Sequence, residues 1–178
     1  RRLCRSYVKQ MSQHLRAMFS RATEASVTDT GNTARSISYP WEVANTLAVF
    51  ARIDAGSANG NYGIHVGTGT TAVAIADYAM ATVIAHGVGA GQLQYGAHTF
   101  GAHAVSAPTS SFTVSRTFVN GSGASITVQE AGIVCLTGQA GDPQTTQFNF
   151  LLARDLTGAV AVANGQTLTV TYTIKCTV

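Results

Sequence analysis

The chain has 178 residues, the size of one domain or of one domain with an appendage. Apolar residues make up an ordinary 46%, but Asp, Glu, Lys and Arg together reach only 11%, less than half the usual ~25%. Small neutral polar residues fill the difference, which suits β-sheets and tight subunit contacts, where a charge would have to be desolvated, and no run of about 18 apolar residues predicts a membrane-spanning helix.

The opening residues RRLCRSYVKQ lack the apolar core of a signal peptide. A start on Arg1 rather than Met leaves proteolytic trimming and a start within a longer chain both open. Residues 3–22 are expected to form an amphipathic helix, because Leu3, Tyr7, Met11, Leu15 and Met18/Phe19 recur at three- and four-residue spacing. Arg5, Arg16 and most other basic residues lie off that stripe. Six of the eleven basic residues (Arg1, Arg2, Arg5, Lys9, Arg16 and Arg21) precede the first acid, Glu24, so a basic arm is joined to a mildly acidic body. The stripe needs a cover. The same subunit, a partner or a membrane surface would serve, and the narrow stripe without Trp favours protein. Leu3, Tyr7, Met11, Leu15, Met18 and Phe19, with Arg5 and Arg16, are therefore the candidate interface residues. Only this arm carries the charge for contact with nucleic acid, since the body is net acidic and its aromatics alternate with Thr rather than with Arg or Lys.

Residues 23–36 are polar and read as a linker or extended arm, which places the division between an arm over 1–36 and a β body over 37–178. Pro40 breaks regular structure, and Asn45 to Ile53 is expected to be a strand. Asp54 to Gly63 is turn chemistry throughout. Ile64 to Gly67 reads as a strand, and Ala72 to Ile75 as a second apolar strand. GTGTT and GVGAGQ hold glycines without the Lys or the spacing of a phosphate loop or a dinucleotide fingerprint, so both are turns. From Leu93 to Thr117 the text is strand-like again. There Phe112, Val114 and Phe118 alternate with Thr113, Ser115 and Thr117, and Arg116 interrupts the apolar side, so it must reach an edge, an interface or an acid. NGSG (Asn120 to Gly123) is a hairpin signal after which 124–136 pairs back, with Ile126, Val128 and Glu130 on one side. Thr137 to Gln147 reads as a long loop before FNFLLARDL, and ANGQ turns into the last strand. In that strand Leu168, Val170, Tyr172, Ile174, Cys176 and Val178 alternate without a break against Thr and one Lys. Short strands joined by Gly/Asn turns predict an all-β, antiparallel sandwich or jelly-roll-like body behind the N-terminal helix.

No catalytic signature emerges. The three cysteines, Cys4, Cys135 and Cys176, are an odd number with no CxxC spacing. Cys135 and Cys176 are expected to be small buried hydrophobes, with a bridge between them left open and Cys4 available for an intermolecular one. His65, His86, His98 and His103 lie among scattered acids, which does not make a metal site. A Cys135 nucleophile paired with a distant His is the weakest reading, since buried strand cysteines are inert. No enzyme activity, cofactor or metal is expected.

From His65 onward the order of phrases resembles a class of tailed-bacteriophage virion proteins over about two thirds of the chain. The most specific pieces are RTF.N.SG..I.V.E.G at Arg116 to Gly132 and LARDL…V..GQTLTVTYTI near the end. The resemblance implies a β-rich, non-enzymatic virion component of the capsid-decoration, neck or tail type, located in the virion. Its partners would be other virion proteins and further copies of itself. The alternative is a receptor- or carbohydrate-binding β-sandwich of a tail fibre or adhesin, using the loops at 54–63 and 137–147.

Overall fold

The structure, a computed structural model, describes residues 9–20, 24–37, 51–139 and 142–177. Among these, helix α1 spans Lys9–Ser20, within the 3–22 expected. Leu3, Arg5 and Tyr7 lie outside the described residues, as do the side chains of Met18 and Phe19. The polar stretch expected to be a linker or extended arm contains two paired strands, β1 (Glu24–Thr28) and β2 (Ala34–Ile37). Asp29 shapes their turn: its carboxylate accepts the N–H groups of Gly31 at 3.0 Å and Thr33 at 2.8 Å, and the Arg35 Nε–H at 2.7 Å. Turn polarity hid two strands whose Val27 and Ile37 are fully buried.

The later strands are β3 (Gly63–Gly67), β4 (Gln94–Phe100), β5 (Ala104–Ser106), β6 (Thr109–Val119), β7 (Ile126–Gln139), β8 (Asp142–Val162) and β9 (Thr167–Thr177). All pair antiparallel, in two sheets. In the first, β7 is central: β8 runs along one side of it, while β3 and β2 pair on the other. In the second, β6 is central, with β9 matched to it from Thr109↔Thr177 to Val119↔Thr167 and with β4 and β5 opposite.

Several expected elements come out differently. NGSG does not make a hairpin: β6 lies in the second sheet and β7 in the first, so the turn carries the chain from sheet to sheet. ANGQ does the same between β8 and β9. The two crossings are tied together by Asn120, whose Nδ2 donates to Ala124 O at 2.8 Å and to Val162 O at 2.7 Å. The Asn120 N–H donates to Gln166 O at 2.9 Å, and its carbonyl accepts the Gly165 N–H at 2.7 Å. A Gly/Asn turn supplies the sharp change of direction but not the identity of the next neighbour, which is why the local signal misled. The loop expected at 137–147 is instead the hairpin end of β7 and β8. The run Ala72 to Ile75 is not a strand, and Ile75 stands exposed. Of the strand expected at 45–53, residues 45–50 lie outside the described part, and Arg52 makes an isolated bridge to Leu136.

One core joins the sheets. Ile64, Val66, Ile133, Phe150 and Leu152 of the first meet Tyr95, Val114 and Phe118 of the second, with Leu168, Val170, Tyr172 and Ile174 of β9 half-buried against them. The period-two reading of the last strand holds through Ile174, whereas Cys176 is exposed near the strand's end and Cys135 is buried; both thiols are free, so no bridge joins them.

Two arginines are also fully or almost fully buried, and each holds a long loop. Arg116 meets neither an edge nor an acid. Its Nε–H donates to Gly96 O at 2.8 Å, Nη1 to Ile64 O at 3.0 Å and Tyr62 O at 3.4 Å, and Nη2 to Gly56 O at 3.3 Å and Asn59 O. The guanidinium also stacks over the Tyr95 ring at 4.6 Å. Burial pushes its pKa down to about 10, so it stays charged and must be solvated by these carbonyls. The turn-rich loop 54–62 is thereby wrapped around a cation. Arg154 holds the 68–82 segment in another way: its Nε donates to Glu130 at 2.8 Å, Nη1 to Asp77 at 2.8 Å and Nη2 to Thr71 O at 2.8 Å. Burial pushes the Glu130 carboxyl up, but the N–H groups of Thr82 and Ala81 and the Arg154 guanidinium outweigh it and hold it below the usual range.

Arg116→Lys keeps the charge but cannot reach five carbonyls with one ammonium. It is expected to destabilise the fold by at least about 3 kcal/mol, read as a lowered urea midpoint with unchanged slope. A midpoint equal to that of the parent protein would show that the loop holds itself.

Candidate functional site

The closest approach to catalytic geometry lies where α1 meets β7. His14 falls three residues after Met11, on the helix's inner stripe, and packs edge-on against Phe150 with ring centroids 5.0 Å apart. Its Nδ1–H donates to Gln10 O at 2.8 Å, which leaves Nε2 as an acceptor for the Thr137 hydroxyl at 3.2 Å. Thr137 Oγ1 in turn accepts the Ala51 N–H at 3.1 Å. Cys135 Sγ stands 3.6 Å from His14 Nε2, so the pairing that the sequence left weakest is present in space. It is not a working pair. Cys135 is wholly buried and burial pushes its thiol up to about 12, while burial lowers His14; both are neutral at pH 7, and an attacking sulfur must be a thiolate. The chain of hydrogen bonds seals the helix to the sheet. An apolar cavity of about 170 Å³ beside it is lined by Met11, Leu15, Phe112 and Ile174, so the arm's inner residues are covered by their own body. Leu15 is still 38% exposed, and Arg16 is exposed as well.

The other histidines are mostly local fasteners. His98 donates from Nδ1 to Ala55 O at 2.8 Å and accepts the Ile64 N–H at Nε2 at 2.7 Å, stapling the 54–62 loop to β3. His86 Nδ1 accepts the Tyr95 N–H at 2.9 Å, and exposed His103 meets Ser110 Oγ at 2.8 Å. Among the described residues no three His, Cys, Asp or Glu side chains cluster as metal ligands. The GTGTT turn gives one N–H to an anion, but it is the protein's own: the N–H groups of Gly69 and, from further along the segment, Ala81 and Thr82 point at the Glu130 carboxylate, at 3.2, 3.1 and 2.7 Å respectively. A Cβ at Gly67 or Gly69 would strike that carboxylate, which explains the glycines without any phosphate.

What remains is a margin. Each of β8 and β9 pairs on one side only, and no strand among the described residues takes the other side. The two strands follow one another through residues 163–166, so their free sides form one continuous border. From Leu156 to Thr177 this border carries a single charged side chain, Lys175, and no proline. Leu156 is 45% and Val160 36% exposed along it. A bulge at Gly158 interrupts β8, where residues 157–159 face Gln129, but β9 is unbroken over eleven residues. Monomeric proteins blunt such edges with Lys, Pro or very short strands. The sequence pattern of Thr alternating with apolar residues marked the strand, yet not that it would stand at an edge.

Comparison with protein-family models, curated proteins and solved structures found no match to this chain.

Two outcomes are expected. In native protein a thiol reagent labels Cys176, and Cys135 becomes reactive only on unfolding, as read by peptide mass mapping; rapid native labelling of Cys135 would contradict its burial. Burial also lowers His98 and takes His65 down to about 4. The unfolded chain protonates its imidazoles near pH 6.5, so unfolding takes up protons below that pH and stability falls between pH 6.5 and 4. His65 alone accounts for on the order of 3 kcal/mol across the window. Thermal melts at pH 7, 6 and 5 should show a declining midpoint, and a flat profile would contradict it.

Proposed function

We propose that this chain is a non-enzymatic structural component of a bacteriophage virion, assembling with copies of itself and with other virion proteins. The observation that carries the assembly reading is the β8–β9 border: long, nearly uncharged and, among the described residues, unpaired on its outer side. Adding a strand there satisfies backbone groups and desolvates almost no charge. The low overall charge and the resemblance of the Arg116–Gly132 and C-terminal phrases to virion proteins supply the rest. In this reading the two sheets make a sandwich of jelly-roll type, since β6 with β9 and β7 with β8 form one ribbon folded across two layers. Because α1 is seated on its own body, the neighbour's contact falls to the border and to the arm residues before Lys9, which include Leu3, Arg5 and Tyr7. Contact with nucleic acid, if any, belongs to the same basic arm. The alternative, a receptor- or carbohydrate-binding module of a tail fibre or adhesin, is favoured by the ordered 54–62 loop.

Two experiments test this. Sedimentation of the purified chain should show an oligomer, and Thr171→Lys with Thr173→Lys, which place charges on the outer face of β9, should shift it to monomer with little change in melting temperature. A parent chain that is monomeric at about 100 μM, where a specific interface with a micromolar or tighter constant would be filled, overturns the border as an interface. Mass spectrometry of purified particles should find the protein in the virion, and its absence there overturns the assignment.

A further inference from the structure

A cavity of about 370 Å³ lies at the junction of the 54–62 loop, β3 and β8. That is within the range of about 300–1,000 Å³ in which small-molecule sites fall. Its polar lining comes from His65, Asn149, Asn61 and Thr30, and its apolar lining includes Met80 and Val83. None of the residues around it is Asp, Glu, Lys or Arg, so it offers no formal charge to an ion.

Two of its groups lack partners. His65 is only 4% exposed and its Nε2 has no hydrogen bond, and Asn149 Oδ1 is likewise buried and unsatisfied. The other ring nitrogen of His65 is hydrogen-bonded to the backbone of Gly60, which fixes Nδ1 as the protonated nitrogen and leaves a lone pair on Nε2. Both orphan atoms are therefore acceptors. Buried polar groups are nearly always satisfied, and an unpaired one costs about 1–3 kcal/mol. Neither atom is open to water, and both residues line the cavity, so a ligand lodged there is the partner in position to supply the missing donors. Asn61, on the exposed loop, supplies a further donor and acceptor at the mouth, and Met80 and Val83 give a carbon–hydrogen face something to lie against.

We propose that this cavity is a binding site for a neutral, polyhydroxylated ligand the size of one sugar ring, with hydroxyls donating to His65 Nε2 and Asn149 Oδ1. Two neutral acceptors with the Arg116 cation close enough to act on His65 select hydroxyl donors over ammonium groups or metal cations, which that cation repels. The site is independent of the assembly border and does not rest on the virion reading.

The test is a titration of the full chain, carrying labelled histidine, with D-glucose, D-galactose and N-acetyl-D-glucosamine, followed by NMR at the His65 ring. The expected result is a saturable shift with at least one sugar and a dissociation constant of about 1–10 mM, in line with the efficiency of small ligands. Asn61→Ala should weaken binding by at least about fivefold, about the loss of one hydrogen bond. Val83→Trp should abolish it by filling the cavity from the rim; Val83 is 47% exposed, so its melting temperature should match that of the parent. No saturable shift with any of the three sugars would mean that water alone fills the cavity, and the proposal fails. It fails equally if ethylammonium binds there and the sugars do not, or if Val83→Trp binds as the parent does.

Discussion

A charged guanidinium in an apolar interior has to be given back what water provided, and Arg116 is given it by the backbone. Five carbonyls, from Gly56, Asn59, Tyr62, Ile64 and Gly96, surround it where no carboxylate stands. The consequence runs outward. Loop 54–62, which has little apolar content of its own, is ordered because its carbonyls are committed to Arg116, and its order positions His98, Asn61 and the wall of the cavity at His65. The second buried cation is handled differently. Arg154 is neutralised by Glu130 and Asp77, and the loop amides that surround Glu130 fold the GTGTT segment against β7.

These two arrangements take up four of the body's few charged residues, and the outer sheet border keeps one, Lys175. Low charge content is therefore not evenly spread. Asp77, Glu130, Arg116 and Arg154 are spent on internal loop anchoring, while β9 presents Thr167, Thr169, Thr171 and Thr173. A protein that needed only to stay monomeric would gain from the opposite distribution.

Much of the fold was legible in local pattern. The alternation from Leu168 to Ile174 identified both the strand and its buried side, and Val114 to Phe118 did the same for β6, where Phe112, expected inside, stands exposed. What pattern could not supply was partnership. Asn120 announces a turn equally well whether the next strand returns beside β6 or crosses to the other sheet, and only its bonds to Val162 and Gln166 decide it. Polar strand residues such as Thr137 read as loop because their hydrogen bonds go to side chains 123 residues away, here His14. Arg116 was recognisable as a misfit on an apolar face, but carbonyl groups carry no sequence signal, so its partners were invisible. Of the candidate interface residues, Met11 and Leu15 are set against their own subunit. Leu3, Tyr7, Met18 and Phe19 lie outside what the structure describes of the stripe. The resemblance drew on Arg116, Asn120, Glu130 and Arg154, all of them buried or nearly so and all holding turns or loops in place.

The folded ribbon formed by β6–β7 and β8–β9 also bears on how the chain finds its shape. Its pairs are nested: they begin at Gln139↔Asp142 and widen one step at a time to Thr109↔Thr177, 68 residues apart. Closing such a distance in one event costs about 0.6 kcal/mol more for every doubling of the loop, whereas extending a hairpin already closed at its tip closes no new long loop. A hairpin started at its tip can therefore zip outward, round the crease at Asn120, and lay down β9 last. The topology is non-local in its final contacts and local in every step that leads to them.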